Sequence, residues 1–366
     1  MVDLVSILRE VRDPRQPNAR HDLADILFVS LAAMLCGAKT CVEIAEFGRD
    51  RLGELRQIVD LPHGAPSHDT FSRVCRLLDP QELAKAFDAC LAAMRESLKL
   101  PAPAGVVALD GKSLRRAYDK GRSHMPAMMV GVFDTQTRLS IAQGRAIDGA
   151  EISTALELLK GLSLKGCTVT ADALHCTHAT AAAIRQAKAH YALTLKQNRH
   201  DLWEEAEAAF EAAGESAPSY ETRQSGHGRL ELRRASVLSA GHMKRTFDFP
   251  DLAAVGRIQA ERSAGGRDMR SVRYVLLSRP LSPRKVLEVV REHWAIENKL
   301  HWPLDVVFDE DDARSRKNHA PENLAVIRRI ALNILTAHPS EGTVGRKMRR
   351  ASWDIRFFFE LFAQMR

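Results

Sequence analysis

The stretch from residue 106 to residue 195 constrains the fold most, because strand-length apolar runs and helical stretches follow one another there in a fixed order. Strands are predicted at residues 106–109, 128–133, 139–143, 167–170 and 191–195, and helices at residues 151–162 and 178–189. The resulting order is βββαβαβ. Successive strands followed by strand–helix–strand units predict an α/β core whose sheet contains strands of both directions.

Helical signals dominate the first 100 residues. A strongly apolar helix is predicted at residues 23–36. Asp79, Pro80 and Glu82 form a start signal for another helix, with a cap, a first-turn proline and a third-position acid. The Pro-Ala-Pro-Ala sequence at residues 101–104 is typical of a linker, so a helical N-terminal domain is expected before it.

Beyond the core, residues 200–270 are more polar and less periodic, with a helix predicted at 202–213 and strands at 232–238 and 255–259. This pattern predicts a β-rich insertion. A strand at 274–277 follows, and then a helix from Ser282 and Pro283 to about residue 300. The last clear helix is predicted around residues 324–334.

These elements divide the chain into three regions. We expect a helical N-terminal domain at 1–100, an α/β domain at 101–312 with its insertion at about 200–270, and a basic helical segment at 313–366.

The chain is basic, with a net charge of +7 and a pI of about 9.2, which favours a polyanionic partner. Residues 313–366 hold eleven Lys and Arg against four Asp and Glu, so this segment alone carries the excess of the whole chain. The segment is therefore predicted to lie along DNA phosphates. On charge alone, a merely basic protein without such a partner is the alternative.

The six cysteines form no CxxC pair, which argues against a structural zinc site. The chain begins with no secretory signal pattern, and its longest uncharged apolar stretch, residues 26–38, is too short to span a bilayer. We expect a cytoplasmic protein with reduced thiols and no membrane partner.

Two acidic residues follow predicted strands of the core. Asp110 comes after the run 106–109, and Asp172 comes after the strand 167–170. Because adjacent parallel strands end at the same edge of a sheet, the two carboxylates are expected to lie close together. Either residue alone fits a turn or cap role, but two in the same core favour a ligand role.

Glu297 is the third acidic candidate. On the helix that starts at Pro283, steps of three and four residues lead from Val290 and Trp294 to Glu297, on the side that faces the core. A carboxylate there needs a cation or a hydrogen-bond partner, and a salt bridge to an arginine is the alternative. The acidic run at 305–312 is typical of a solvated loop, with Glu310 as a second candidate for this position.

Three carboxylates suit two Mg²⁺ or Mn²⁺ ions. Hard cations prefer oxygen ligands, and two of them about 4 Å apart activate a nucleophile and stabilise the leaving oxygen in phosphoryl transfer.

Several motifs resemble those of the H-repeat-associated (ISAs-type) insertion-sequence transposases. They are LDGKSLR at 109–115, TADALH at 170–175, YALTLKQN at 191–198, HWAIENKLHW at 293–302, LDVVFDED at 304–311, APEN at 320–323 and RRIALN at 328–333. DPR at 13–15 and HDTF at 68–71 resemble the helical associated domain of that family. The resemblance covers nearly the whole chain in the family's order.

The resemblance implies an RNase-H-like (retroviral-integrase-like) core with a β-rich insertion before the catalytic Glu. It implies metal-dependent cleavage at insertion-sequence ends and strand transfer into target DNA. It places catalysis and two Mg²⁺ or Mn²⁺ ions on Asp110, Asp172 and Glu297. The implied partner is double-stranded DNA, comprising the terminal repeats and the target, bound by a homodimer in the bacterial cytoplasm at the nucleoid.

The chain departs from a wider group of related transposases around Glu297. That group carries Tyr seven residues before the Glu, Arg four before it and Lys seven after it, where this chain has Val290, His293 and Leu304. The hairpin-forming cleavage route of that group is therefore not carried over.

Candidate DNA contacts are basic or polar residues near the triad or in the C-terminal segment. They are Lys112, Arg115, Arg116, Lys196, Asn198, Arg229, Arg291, His293, Lys299, Arg314, Arg316, Arg328 and Arg329. A solvated turn is the alternative for the group that follows Asp110.

Two other functions remain open at this point. A catalytically inactive or repurposed transposase-derived protein would bind DNA without nicking it. A stand-alone RNase-H-like nuclease would cut DNA without joining ends, but it needs neither the helical domain nor the insertion.

Overall fold

A nine-stranded mixed sheet forms the centre of the computed structural model, which describes residues 3–118, 125–226, 229–264 and 267–365. Its strands are β1 (Val106–Leu114), β2 (Ala127–Asp134), β3 (Leu139–Ala146), β4 (Thr168–Ala171), β5 (His190–Leu195), β6 (Ser219–Gly226), β7 (Arg229–Ser239), β8 (Ala254–Ala264) and β9 (Arg267–Leu277). Across the sheet they lie in the order β3-β2-β1-β4-β5-β9-β8-β7-β6.

Helices precede, connect and follow these strands. They are α1 (Leu4–Arg9), α2 (Leu23–Leu35), α3 (Cys41–Asp50), α4 (Leu52–Leu55), α5 (His68–Leu77), α6 (Pro80–Ser97), α7 (Glu151–Lys160), α8 (His178–Gln186), α9 (His200–Ala213), α10 (Gly241–Phe247), α11 (Pro283–His293), α12 (Trp302–Val306), α13 (Ala320–Ala337), α14 (Val344–Trp353) and α15 (Ile355–Ala363). In the described part of the chain, no helix combines the length and apolar character needed to cross a membrane.

The first five strands build an RNase-H-like core. β1, β2 and β3 form an antiparallel meander, while β4 lies parallel beside β1 and β5 lies parallel beside β4. Helices α7 and α8 connect into β4 and β5, so the predicted order βββαβαβ is confirmed. Val107, Ala108 and Leu109 are fully buried, as expected for a central strand that is covered on both faces.

The insertion extends the same sheet instead of forming a separate unit. β9 pairs antiparallel with β5, and β8, β7 and β6 follow as antiparallel neighbours. Helix α9 confirms the helix predicted at 202–213. Strands β7 and β8 extend beyond the strands predicted at 232–238 and 255–259. Strand β6 was not predicted, because this outer strand is largely exposed and carries no apolar run.

Helices from both ends of the chain pack in one layer beside β3. Helix α13 contacts α2, α5 and α6 from the N-terminal region and also contacts β3. The Asn333 side chain accepts a hydrogen bond from Ser140 N (2.9 Å) and donates one to Ser140 O (2.8 Å). It satisfies the backbone of the edge strand much as a neighbouring strand would, and so ties the C-terminal segment to the core.

Burial contradicts the prediction that Arg328 and Arg329 contact DNA. They are 2% and 1% exposed, and Arg329 Nη1 donates to Glu310 Oε1 at 3.2 Å, with Arg328 Nη1 at 3.9 Å from the same oxygen. Lys347, counted with the same basic segment, is also buried and donates to the backbone oxygens of Leu335 and His338. Glu310 is 1% exposed and bound to arginine, which removes it as a candidate metal ligand.

The buried Glu310 should support folding rather than chemistry. Glu310→Gln leaves two buried guanidinium groups without a counter-charge, so we expect the free energy of unfolding to fall by about 3 kcal/mol. Urea denaturation measures this change. The exposed Glu341 provides the control, since Glu341→Gln should alter stability by less than about 0.5 kcal/mol. Equal stability of the two variants would contradict the ion pair's role.

Candidate active site

Asp110 and Asp172 meet where two parallel strands separate. The parallel pairing of β1 with β4 ends at Leu109 and Ala171, and the next residue on each strand is one of the two carboxylates. The strand predicted at residues 106–109 is longer than expected, because β1 continues along β2 as far as Leu114, which excludes the alternative of a solvated turn directly after Asp110. After Ala171 the chain turns away from the sheet, whereas β1 continues. This divergence opens a space next to Asp110.

The single helix predicted for the region that carries Glu297 is interrupted. Helix α11 ends at His293, and a π-helical segment, Glu297–His301, leads into α12. Leu300 is fully buried, and its Cδ2 lies 3.5 Å from where a Cβ on Gly131 would stand. Because Gly131 is the β2 partner of Asp110, this packing brings the segment to the carboxylates. Contrary to the prediction, the Glu297 side chain does not face the core and is 55% exposed.

The three carboxylates line one cavity of about 280 Å³. Burial, and then the nearby charges of Asp172, Glu297 and Glu151, raise the pKa of Asp110 to about 7. Like charges crowded in a partly buried place disfavour ionisation, and a bound cation would relieve that crowding. The electrostatics therefore fit a site that is completed by positive charge.

Two imidazoles lie near the three carboxylates, and of these His293 lines the cavity. His301 is 5% exposed, and its Nδ1 lies 2.9 Å from Glu297 Oε2. His293 Nδ1 lies 3.0 Å from Thr170 Oγ1, and burial lowers the pKa of His293 to about 4, so this imidazole is neutral. A neutral group beside Thr170 is a poor partner for phosphate, which weakens the prediction of a phosphate contact for His293.

Glu151 is a fourth carboxylate that sequence reasoning missed. Asp172 Oδ1 accepts from the backbone N–H groups of Leu174 (3.0 Å) and His175 (3.4 Å), and the fully buried His175 bonds to Glu151 through Nε2 (3.1 Å). A Cβ at Gly111 would overlap the Glu151 carboxylate, so the glycine lets that carboxylate lie directly against β1, and a larger residue would displace it. The Asp–Gly pair in the sequence is the only advance signal of this contact.

Lys112 is not free to contact DNA. Its side chain is 6% exposed, and its ammonium bridges Asp305 at 2.5 Å and Asp311 at 2.8 Å. Part of the acidic run at 305–312, predicted as a solvated loop, therefore neutralises the end of β1. This contradicts the phosphate role predicted for Lys112, because its positive charge is already matched within the protein.

Other basic candidates near β1 also have partners. Arg115 pairs with Asp311 at 3.0 Å and Arg116 with Asp312 at 2.9 Å, although both arginine side chains are substantially exposed. Arg316 donates to the backbone oxygen of Arg116 at 2.7 Å. These contacts hold residues 305–316 against β1.

The remaining candidates differ in what they can contact. Asn198 Nδ2 donates to Ala173 O at 3.0 Å, which indicates a structural role in the turn after Asp172. Lys196 is exposed and lines the cavity. Arg291, Lys299 and Arg314 are also exposed. The Arg229 side chain lies outside the described residues.

An arginine-lined groove of about 730 Å³ adjoins the cavity. We call it the arginine groove, and its basic residues are Arg233, Arg262, Arg270, Arg273 and Arg291. Among the described lining residues, Glu231 is the single acidic side chain. Arg273 and Trp294 border both the groove and the cavity, so the two spaces lie side by side. The first four arginines were not among the predicted DNA contacts, because only the pairing of β7, β8 and β9 brings them together.

Comparison with known families agrees with this architecture. Residues 101–334 match the family described as "Transposase DDE domain", and residues 5–90 match the family described as "DDE_Tnp_1-associated". The chain therefore belongs to the DDE transposase family.

Two relatives are similar over nearly the full length. The H repeat-associated putative transposase YhhI of Escherichia coli (strain K12) is 31% identical over 99% of this chain and 97% of its own length. The putative transposase YncI of Escherichia coli O157:H7 is 30% identical over 99% of this chain and 94% of its own length. A solved piggyBac transposase synaptic complex with hairpin DNA aligns with a TM-score of 0.45 at 13% identity, over 100% of this chain and 81% of that one.

The raised pKa of Asp110 should make stability depend on pH. Without added divalent cation, the folded protein keeps a proton on Asp110 between about pH 4 and pH 7, where the unfolded chain has lost it. The contribution of Asp110 to the free energy of unfolding is therefore complete below about pH 4. It decreases as the pH rises and is lost once the pH has passed about 7. Asp110→Asn should raise the free energy of unfolding at about pH 8 by up to about 4 kcal/mol and change little at about pH 4.

Urea unfolding across that pH range, in the presence of a chelator, measures the difference. Glu157→Gln on the exposed side of α7 is the control and should show no comparable pH dependence. A difference between wild type and Asp110→Asn that stays constant with pH would refute the assignment.

Proposed function

We propose that this chain is a DNA transposase that cuts the ends of an insertion sequence and joins them to target DNA. The observation that carries the proposal is the convergence of Asp110, Asp172 and Glu297 on one cavity from three separate elements. Membership of the DDE transposase family supports the same assignment.

The donor chemistry fits divalent cations. Carboxylate oxygens are the ligands that Mg²⁺ and Mn²⁺ prefer, and a cation would offset the negative charges of Asp172 and Glu297 that, after burial, raise the pKa of Asp110. We infer that Asp110, Asp172 and Glu297 hold two such ions. When bound, the ions activate the attacking oxygen and stabilise the leaving oxygen of the phosphodiester.

The protein's own residues would set the geometry for this chemistry. The Asp172 carboxylate is oriented by the turn it caps, and Asp110 is held in a strand that is paired with β2. The π-helical segment, by contrast, leaves the Glu297 carboxylate exposed at the mouth of the cavity. Two ligands are therefore rigid before DNA binds, and the third is free to adjust.

We further propose that DNA lies along the arginine groove. The groove brings five guanidinium groups together beside the cavity, two of them paired with Glu231 and Glu261, whereas Arg328, Arg329 and Lys347 of the C-terminal segment are buried. Guanidinium groups bind phosphate oxygens through charge-assisted hydrogen bonds, so this surface would position the scissile bond near the carboxylates.

The triad prediction concerns cleavage. Asp110→Asn, Asp172→Asn and Glu297→Gln should each reduce Mg²⁺-dependent nicking of DNA carrying the element's own ends by more than about 100-fold, because each removes a ligand charge. DNA affinity should persist because the basic surface is unchanged. Glu288→Gln is the matched control on α11, where Glu288 pairs only with exposed Arg284 and Lys285 in the described structure, and it should cut normally.

Three outcomes separate the candidate functions. Full cleavage by Glu297→Gln would show that the third carboxylate is misassigned. Binding of the ends without nicking by the wild type would favour the inactive DNA-binding alternative, in keeping with the relative named "Inactive transposase YbfQ", which is 41% identical over 15% of this chain. Nicking without joining would favour a nuclease.

The DNA surface is tested by salt dependence. Each phosphate contact contributes about 0.9 to the slope of log affinity against log salt, so replacing Arg270, Arg273 and Arg291 by Ala should flatten the slope by roughly 2 to 3. A binding titration at several salt concentrations measures it. The matched control replaces the exposed Arg346, Arg349 and Arg356, which lie on α14 and α15, by Ala. If only the control variant shows a flatter slope of log affinity against log salt, the DNA interface lies on the C-terminal segment instead.

A further inference from the structure

His301 faces both of the carboxylates that lie at one end of the cavity. Its Nδ1 is 2.9 Å from Glu297 Oε2 and 3.8 Å from Asp110 Oδ2. Within the described residues, these three side chains form a group whose ligand atoms all lie within 4.8 Å of one another. We propose that His301 Nδ1 is a protein ligand of the cation that Asp110 and Glu297 hold. This inference rests on the proposed function, because that function requires the cation.

The distances suit one shared ion better than a simple ion pair. Two neighbouring ligand atoms of one octahedral cation lie roughly 3 Å apart, since each sits about 2.1 Å from the metal. The separation of Nδ1 from Glu297 Oε2 matches that value, and the 3.8 Å to Asp110 Oδ2 lies between it and the roughly 4.2 Å that separates opposite ligands of the same ion. An imidazole that served only to orient Glu297 would have no need to approach Asp110 as well.

The local backbone explains how the ring is aimed. The Trp302 N–H donates to Glu297 O, the wider spacing of a π-helix, and such segments occur often at functional sites. Leu300 anchors the segment on β2 beside Gly131, and the His301 ring is buried against the sheet. His301 is thus a fixed donor, while Glu297 is exposed and can close on a cation.

The other histidines near the cavity are committed elsewhere. His293 Nδ1 is bonded to Thr170 Oγ1, and His175 Nε2 is bonded to Glu151 Oε1. Neither belongs to the ligand group described above. Within the described residues, the Asp110–Glu297 end of the cavity therefore groups one imidazole nitrogen with its carboxylates, while no imidazole is grouped in this way with Asp172.

The two cation positions should consequently differ in metal preference. Mg²⁺ strongly prefers oxygen ligands, whereas imidazole nitrogen suits first-row transition ions. The position that includes His301 should favour Mn²⁺ over Mg²⁺, and the position beside Asp172 should discriminate less between them.

The direct test is the nitrogen coupling of bound Mn²⁺ in the full chain without DNA. Pulsed electron paramagnetic resonance of wild type should show a coordinated ¹⁴N, and labelling the chain with ¹⁵N-histidine should convert it to the ¹⁵N signal. His301→Gln should lose the signal, and its affinity for Mn²⁺ should fall about 10- to 100-fold while its affinity for Mg²⁺ changes much less. His293→Gln is the matched control and should keep the signal.

The labelled wild type tests the proposal even where His301→Gln fails to fold, because a missing nitrogen coupling excludes every histidine as a ligand. Where the coupling is present, its persistence in His293→Gln excludes the other histidine, which the structure places on the cavity wall. Mn²⁺ bound through Asp110 and Glu297 without any nitrogen coupling would overturn the role of His301 and leave the proposed function intact. An equal loss of Mn²⁺ and Mg²⁺ affinity in His301→Gln would reduce His301 to a positioning residue and overturn the ligand role. Equal, negligible Mn²⁺ binding by wild type and Asp110→Asn would refute the cation site itself, and both proposals with it.

Discussion

The parallel pairing of β1 with β4 is the constraint on which the site depends. It ends at Leu109 and Ala171, and so sets Asp110 and Asp172 side by side at one edge of the core. A shift of one residue in this register would turn one carboxylate to the opposite face of the sheet. The buried apolar run of β1, central in the sheet, holds the register against that shift.

Two sets of ion pairs connect β1 to the C-terminal helices. Lys112 joins the far end of β1 to Asp305 and Asp311, and Glu310 of the same loop joins the buried arginines of α13. The C-terminal helices are therefore linked to the strand that carries Asp110. Because buried charges are tolerated only when they are matched, the segment at 305–312 has little freedom to move independently.

Counting charges along the chain overstates how much positive charge the C-terminal segment exposes. The C-terminal segment carries the net positive charge, yet Arg328, Arg329 and Lys347 are directed into the helical layer. The arginine groove, in contrast, is assembled from residues scattered over β7, β8, β9 and α11, none of which forms a basic run in the sequence. Net charge is a property of composition, whereas a phosphate-binding surface depends on which side chains remain exposed together.

The sequence by itself determined the order of the core elements and the positions of Asp110 and Asp172 after two strands, because buried strands and capped helices leave local patterns of apolar and turn residues. Glu297 was selected through the family resemblance, since the core-facing position that the helical spacing predicted for it is wrong. The sequence did not reveal the continuation of β1 beyond Asp110, the outer strand β6 or the approach of Glu151 to Gly111. Nor did it reveal the interruption that carries Glu297 and His301, since a helix and a helix with a π-helical segment share nearly the same periodicity. These features depend on contacts between residues far apart in the chain, and only the tertiary structure decides which of those contacts form.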